Sequence, residues 1–246
     1  MNGRPALQSP LDLGLAEAVD PFTVQPGIIL FDRFCALGQV RHAADTWRVE
    51  VTDLRRQLGS PPHHRLMMHV IPANEGLHRV LRAALPAHAG RSARIDAVVS
   101  MRDAVCVLTP HSGARPIQLP VEHYQALSVG RSLARLLVRL HDVGMVGTRF
   151  DLRDLRLDLT GEIQLTSVHH LIGLRTDGSE DDERADAAAL LVLLRSIEDP
   201  AIDRALEGVM PTAQAIADRL DQIPRRRQAR ARAVDTLPAI PPFVGR

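Results

Sequence analysis

The sequence contains no lysine. All 30 of its basic residues are arginine, and 29 acidic residues balance them. P-loop enzymes need a lysine on the terminal phosphates, Schiff-base and pyridoxal enzymes need a lysine amine, and protein kinases need a lysine on their third strand. Arginine stays protonated and cannot act as a tunable amine, so it does not restore these chemistries. The absence therefore excludes the usual forms of all three.

Aromatic residues and cysteines are also scarce. Aromatics make up 3% of the 246 residues, so Leu, Val, Ile and Ala must build the core. The two cysteines, Cys35 and Cys106, lie far apart without metal-ligand spacing, which indicates neither a disulfide framework nor a thiolate metal site. This cysteine usage is typical of a reducing cytoplasm. A chain of this length is expected to form one large domain or two small ones.

Long apolar runs and a strong net charge are missing too. No stretch approaches the ~18 apolar residues of a membrane span, and the N-terminus lacks a basic start followed by an apolar segment. The formal net charge is +1, which predicts no global attraction to nucleic acid or to an anionic membrane. We expect a cytoplasmic protein that neither spans a membrane nor binds nucleic acid through its overall charge.

Strand-like patterns dominate the first half of the chain. Residues 1–26 carry four prolines and are expected to form a leader that packs only loosely. Residues 27–118 predict a small antiparallel sheet, because short β-branched runs there are bounded by Gly, Pro, Ser or Asp. One helix with an apolar face is expected at residues 75–85. The predicted strands cover residues 28–37, 46–52, 65–71, 95–100 and 105–109.

Helical patterns dominate residues 119–223. Pro120 is well placed to begin a long helix that extends to about residue 140. A hairpin follows, in which alternating leucines from Leu155 lead to a turn at Thr160-Gly161 and a return strand through Ile163. Further helices are predicted at residues 184–197, 201–209 and 212–223, before an arginine- and proline-rich tail at residues 224–246. The expected fold class is α+β, with a small antiparallel β lobe containing one helix and an abbreviated, mainly helical second lobe.

A contiguous run in the second half resembles a known family. Residues 140–146, LHDVGMV, are similar to the end of the long C-lobe helix of protein kinases, and residues 147–170 continue without a gap into a kinase-like catalytic loop and hairpin. Upstream, residues 31–38 resemble the opening of the kinase N-lobe, and residues 66–70 resemble its third strand. Within residues 147–170, the matching positions are Leu155, Leu157, Asp158, Gly161, Ile163, Leu165 and Thr166.

The resemblance implies a two-lobed protein-kinase-like fold over residues 28–223. In that family a buried aspartate on a large C-lobe helix supports the catalytic loop, and Asp186, in the run ERADAAALLVLL, matches it. The chain looks like a degenerate domain of the bacterial Ser/Thr kinase-like family. The bias from lysine to arginine fits a GC-rich bacterial genome, and the resemblance to degenerate kinase domains of actinobacteria implies an actinobacterial source.

The positions that carry catalysis in kinases are replaced. Phosphoryl transfer needs a positioned base, metal ions held by side-chain oxygens, and a cation on the phosphates. By resemblance, the lysine position is His69, the catalytic aspartate is Arg149, the metal asparagine is Asp154 and the metal aspartate is Ser167. Arginine cannot accept a proton and serine offers no charge to magnesium, whereas Asp154 could still coordinate an ion. The resemblance therefore implies a pseudokinase without catalytic residues, cofactor or metal.

Two other kinase features are reduced. Gly38 of the glycine-rich loop is retained, but its later glycine positions are Val40 and Ala43, whose side chains keep backbone amides away from phosphates. Only 18 residues separate Ser167 from Asp186, so the activation segment is short. Little of the chain is left there to form a platform for a peptide substrate.

An inactive kinase fold is expected to act as a regulatory or scaffolding module for a protein partner. Among the degenerate actinobacterial kinase domains that the chain resembles, some are tied to cell-wall synthesis. The implied partners are an active Ser/Thr kinase or a phosphothreonine-binding domain of the forkhead-associated type, and Thr236 in the tail is the candidate phosphorylation site.

Two alternative functions remain open from the sequence. One is a divergent kinase-like transferase in which Asp151 or Asp154 acts as the base. The other is an adaptor that binds nucleic acid or a membrane through the five arginines of residues 225–232.

The same residues also have simpler interpretations. His69 is expected to be a core or lobe-interface histidine, and Asp154 a solvated loop carboxylate. The histidine doublets at residues 63–64 and 169–170 lack partners at metal-ligand spacing and are expected to be loop histidines. The alternating arginines and aspartates of residues 149–158 are expected to pair with one another. No Gly-x-Ser-x-Gly elbow occurs, so hydrolase chemistry finds no support.

Overall fold

The structure is a computed structural model that describes residues 11–43, 46–56, 65–72, 77–89, 94–111, 115–117, 119–157, 163–165 and 168–224. Several predicted features lie outside these residues: Ser167, Thr236, the Thr160-Gly161 turn, the histidines at 63–64 and the arginine run at 225–232. The fold is mixed α+β, as expected. The described part has a mostly antiparallel sheet, a second small sheet and six helices.

Eight strands form the large sheet. Their order across the sheet is β1-β7-β8-β6-β5-β3-β2, with β4 paired to β5, and every pair except β1–β7 is antiparallel. A helix, α1, at Leu77–Ala84 connects β6 to β7 and continues into a short 3-10 helix at Leu85–Ala89. The strands are β1 Leu11–Ala16, β2 Ile29–Leu30, β3 Phe34–Ala36, β4 Arg41–Ala43, β5 Thr46–Asp53, β6 Arg65–Pro72, β7 Ala97–Met101 and β8 Ala104–Pro110.

The second half of the chain is mainly helical. Its three-stranded sheet has the order β11-β10-β9, and the β10–β11 hairpin pairs Leu155 with Leu165, as predicted. The strands are β9 Arg115–Pro116, β10 Leu155–Leu157 and β11 Ile163–Leu165. The helices are α2 His123–Asp142, α3 His169–Ile172, α4 Glu180–Arg195, α5 Pro200–Ala205 and α6 Ala213–Gln222.

Two apolar cores lie on opposite faces of the large sheet. Strand β5 alternates between half-buried and buried residues along its whole length, so Trp47, Val49 and Val51 point to one face. That face forms the smaller core, which residues 16–24 cover from outside. The other face of the sheet joins α1 and the helices of the second half in one larger core. Leu133, Leu136, Leu137 and Leu140 bring α2 into this core at helical spacing.

The leader packs more closely than expected. Strand β1 lies parallel to β7, with Leu11 opposite Ala97, and Val24 is buried in the smaller core. The predicted strand at residues 28–37 is instead a hairpin of β2 and β3. Its two turn residues, Phe31 and Asp32, both have positive φ (53° and 52°), which reverses the chain within what reads as one apolar run.

Helix capping accounts for most errors in the predicted boundaries. Helix α2 begins at His123 rather than at Pro120, because Glu122 and Gln125 form a capping box. Helix α4 begins four residues before the predicted start, where Ser179 accepts a hydrogen bond from the Asp182 N–H and four acidic residues occupy the first turn. Helix α5 ends at Ala205 rather than at 209. Helix α6 follows the predicted Thr212 cap.

Candidate functional site

His69, at the predicted lysine position, is buried near the middle of β6. Its Nε2 atom lies 3.3 Å from the Thr109 hydroxyl of the neighbouring strand β8. Burial, aided by the positive charges of Arg48 and His169, lowers the pKa of His69 to about 3. The imidazole is therefore neutral at physiological pH and supplies no cation for a phosphate. Its position agrees with a core histidine.

Helix α1, which follows the strand of His69, has no acidic residue in the sequence Leu77–Ala84. The resemblance to protein kinases implies a glutamate on this helix that pairs with the strand lysine. Neither member of that pair occurs in these two elements. The sequence has a glutamate just before this helix, Glu75, which lies outside the described residues.

In the segment after α2, Arg149 and Asp151 lie two residues apart but in different environments. Arg149 is exposed and makes no ion pair or hydrogen bond with any described residue. Asp151 caps a short 3-10 helix, and its Oδ2 atom lies 2.6 Å from a guanidinium nitrogen of Arg153. Hydrogen bonds from the side chain and backbone of Arg153 lower the pKa of Asp151, which makes it a weak base. The expected internal pairing of this segment therefore holds for Asp151 and Arg153 but not for Arg149.

Asp154 is more buried than the solvated carboxylate that the sequence suggests. Its side chain is 14% exposed, and Oδ1 lies 3.5 Å from Nδ1 of His169 at the start of α3. One carboxylate and one imidazole do not make a full ligand set for a divalent ion. Within the described parts of the chain, no group of three or more histidine, cysteine or acidic side chains is arranged to hold a metal.

Asp186, on the buried side of α4, holds the segment that follows α2. Its Oδ2 atom accepts a hydrogen bond of 2.8 Å from the Gly147 N–H and lies 3.4 Å from Nε2 of His141. Gly147 also lies directly against Gly173: a Cβ atom on Gly147 would come within 2.3 Å of the Gly173 carbonyl oxygen. A backbone bridge between Val146 and Arg175 adds a further link. This segment is therefore fixed from three sides.

His169 and His170 are not loop histidines: both lie in α3, and His170 is buried. The Nε2 atoms of His170 and His88 are 3.1 Å apart. Because the Nδ1–H of His88 donates to the Ala84 carbonyl, its Nε2 must accept from His170 when both rings are neutral. Burial lowers the pKa of His88 to about 4. The pair joins the end of α1 to α3, and no spacing in the sequence could have connected residues 82 positions apart.

A cavity of about 890 Å³ lies between the segment after α2, α3 and the first half of α4. We call it the α4 pocket. Its apolar wall contains Phe150, Ile172, Ala185, Ala189 and Leu190, and its polar groups include Arg149, His169, Arg175, Asp182 and Asp186. The resemblance implied that Asp186 supports the segment of Arg149, but no signal in the sequence indicated that the two residues line one cavity.

Comparison with known proteins assigns no family to the chain. No protein-family profile and no curated protein matches it. In the described part of the chain, no helix has both the length and the apolar character needed to cross a membrane.

Proposed function

We propose that the protein is a catalytically inactive, protein-kinase-like domain that acts as a regulatory or scaffolding module for other proteins. The observation that carries the proposal is the state of His69. A kinase places a cation at this point of the third strand to hold phosphates. Here the position carries a buried imidazole whose pKa is lowered to about 3.

The order of elements supports the kinase-like part of the proposal. An antiparallel sheet with one inserted helix, α1, precedes a long helix, a short hairpin and a second large helix, α4. Asp186 on α4 hydrogen-bonds to the backbone of Gly147, which is the supporting role that the resemblance assigns to it. A two-lobed kinase-like arrangement is the simplest fold that accounts for both the order and this contact.

The charges of the residues at the kinase-like catalytic positions support the proposal that the protein is catalytically inactive. The base position is Arg149, which cannot accept a proton from a hydroxyl group. The neighbouring Asp151 is paired with Arg153 and has a lowered pKa, so it is a poor replacement base. Asp154 alone offers one carboxylate for a metal ion, whereas two magnesium-holding side chains serve active kinases. A kinase-like fold that lacks the base and the magnesium-holding side chains can still bind other proteins, which supports the proposed regulatory or scaffolding role.

Titration with ATP and magnesium, followed by thermal unfolding, tests this proposal. We expect no saturable rise in Tm, because the cleft lacks the groups that hold ATP and magnesium. Binding would be easy to detect, since a ligand that binds only the native state at 100 times its Kd adds about 2.7 kcal/mol of stability. A saturable rise in Tm that is lost in Asp154→Ala would contradict the proposal that the protein is inactive towards ATP. Asp181→Ala, at the exposed start of α4, is the control variant and should behave as the unaltered protein does.

Labelled ATP distinguishes the transferase alternative. Transfer of phosphate or AMP to the protein or to a test substrate, lost in Asp151→Ala or in Asp154→Ala, would establish a divergent enzyme instead. We expect no incorporation above that of a heat-denatured sample.

A further inference from the structure

We infer that the α4 pocket and the neighbouring face of α4 bind a peptide segment of a partner protein that presents one anionic side chain beside apolar side chains. This inference deepens the proposed interaction role and rests on it, because it names the surface and the chemistry of the partner. Two independent features carry it: an exposed arginine at the wall of a cavity that forms no ion pair with a described residue, and an exposed apolar helix face that continues from that cavity.

The first feature is the pairing of the charged groups that line the pocket. Arg175 and Asp182 form an ion pair, and Asp182 also accepts a hydrogen bond of 2.9 Å from the Ser179 N–H. Asp186 accepts the Gly147 N–H and lies 3.4 Å from Nε2 of His141. Arg149 is the lining cation that forms no ion pair or hydrogen bond with a described residue. A guanidinium group at the wall of a cavity is suited to a carboxylate or a phosphate, which it can bind through two hydrogen bonds.

The second feature is the exposed side of α4. This helix is apolar on almost all sides from residue 185 to residue 194, so its outer face offers few polar groups to water. Ala185, Ala188 and Ala189 are exposed, and Val192 is 68% exposed. Ile172, which also lines the pocket, is 47% exposed. Exposed apolar groups that adjoin one another mark interaction surfaces more often than isolated ones do.

The two features form one continuous surface. Ala185 and Ala189 line the pocket, and Val192 follows on the same helix face at a spacing of three residues. From Ala185 to Val192 the face extends for roughly 10 Å along the helix, at 1.5 Å per residue. A single small anion would fill the region of Arg149 but leave this strip uncovered. A peptide that places its anionic side chain at Arg149 would cover both.

The pocket is rigid enough to select such a peptide. Gly147 and Gly173 are in backbone contact, the Val146–Arg175 bridge closes one side, and Asp186 fixes the floor. A preformed site loses little conformational entropy on binding, so modest contacts are sufficient for measurable affinity. The acidic start of α4, with exposed Glu180 and Asp181, disfavours peptides that carry several negative charges.

Fluorescence anisotropy against an array of labelled nonapeptides tests the inference. Each peptide has glutamate, phosphothreonine or the neutral glutamine at its centre, with leucine or alanine on both sides. We expect saturable binding to glutamate or phosphothreonine peptides, at least tenfold weaker binding to the matched glutamine peptides, and a further loss when the flanking leucines become serine. Comparing glutamate with phosphothreonine identifies which source of the anion the pocket prefers.

Variants of the protein locate the site. Arg149→Gln should weaken binding roughly tenfold or more, whereas Arg153→Gln, an exposed arginine in the same segment, should leave it unchanged. Ala189→Glu should also weaken binding, because it places a negative charge in the apolar wall. Circular dichroism of each variant shows whether it remains folded.

Three outcomes would overturn the inference. They are the absence of any binding peptide at about 1 mM, equal binding of charged and neutral peptides, and binding unaffected by Arg149→Gln. A further measurement uses a labelled peptide of residues 233–244 of this chain. Tighter binding of that peptide than of every array member, lost in Arg149→Gln, would make the occupant the chain's own tail and would also overturn a partner segment. Failure in any arm leaves the nucleotide titration unaffected, so the two proposals are tested separately.

Discussion

At the scale of single residues, burial rather than sequence position sets the chemistry of the histidines. His69 and His88 are both buried, and burial lowers the pKa of His69 to about 3 and that of His88 to about 4. His88 keeps a single tautomer because Nδ1–H donates to Ala84. Each ring is stable only in its neutral form, and each therefore makes folding depend on pH.

The sign of that dependence follows from the lowered pKa values. A histidine in the unfolded chain binds a proton near pH 6.5, whereas the folded protein takes it up only near pH 3 or 4. Stability is therefore complete above pH 6.5 and is lost as the pH falls below it. The free energy of unfolding should decrease between pH 6 and pH 5 by up to about 1.4 kcal/mol per pH unit for each histidine.

Urea denaturation at pH 7, 6 and 5 measures this decrease. In His69→Phe the ionisable ring is replaced, so about one proton fewer is taken up on unfolding. The dependence of the free energy of unfolding on pH should therefore be weaker by that one proton, whatever the variant's absolute stability. His42→Gln is the matched control, because His42 is exposed on β4 and should not change the slope. A free energy of unfolding that stays constant from pH 7 to pH 5 would show that neither buried ring resists protonation.

At the scale of elements, the contact between the segment after α2 and the end of α3 depends on two glycines. Gly147 has a φ of +87°, and an added Cβ atom would meet the Gly173 carbonyl oxygen at 2.3 Å. Gly144, three residues earlier, has a φ of +73° but open space around it. The two positions therefore have similar backbone strain and differ in steric contact, which makes them a matched pair.

Alanine substitution separates the two effects. Gly144→Ala should cost about 1–2 kcal/mol of stability, which is the strain of a side chain at positive φ. Gly147→Ala should cost about 1–3 kcal/mol more, because it also pushes α3 away from the segment that Asp186 holds. The measurement is the midpoint and slope of urea unfolding for both variants. Equal losses would show that the Gly147–Gly173 contact can relax without cost.

The sequence predicted elements better than it predicted their partners. Strands β5, β6 and β8 and helix α6 were found from alternation, helical spacing and the Thr212 cap, because those signals are local. The turn at Phe31-Asp32 was missed because phenylalanine rarely adopts positive φ and no glycine follows the aspartate. The His88–His170 contact depends on tertiary packing, which a single sequence does not encode at any fixed spacing. The resemblance implied that Asp186 supports the segment of Arg149, but the cavity that the two residues line also depends on tertiary packing.

At the scale of the whole molecule, the N-terminal segment belongs to the fold. Strand β1 covers the edge of β7, and residues 16–24 cover the sheet face that holds the smaller core. Without β1, β7 would become an edge strand. All five of its residues are buried, in the sequence AVVSM. An apolar edge of this kind is a template for pairing with another chain.

Deletion of residues 1–16 should therefore convert the protein into self-associating species with lower stability. The exposed β7 edge offers unpaired N–H and C=O groups to a second copy, and the loss of β1 uncovers part of its apolar surface. Light scattering after size-exclusion chromatography measures the mass, and urea unfolding measures the stability. A chain that begins at Leu11 keeps β1 and is the control. If the shorter chain elutes as the control does and unfolds at the same urea concentration, β1 adds nothing to the sheet; if it associates, β1 is the strand that keeps the buried, apolar edge of β7 from pairing with another chain.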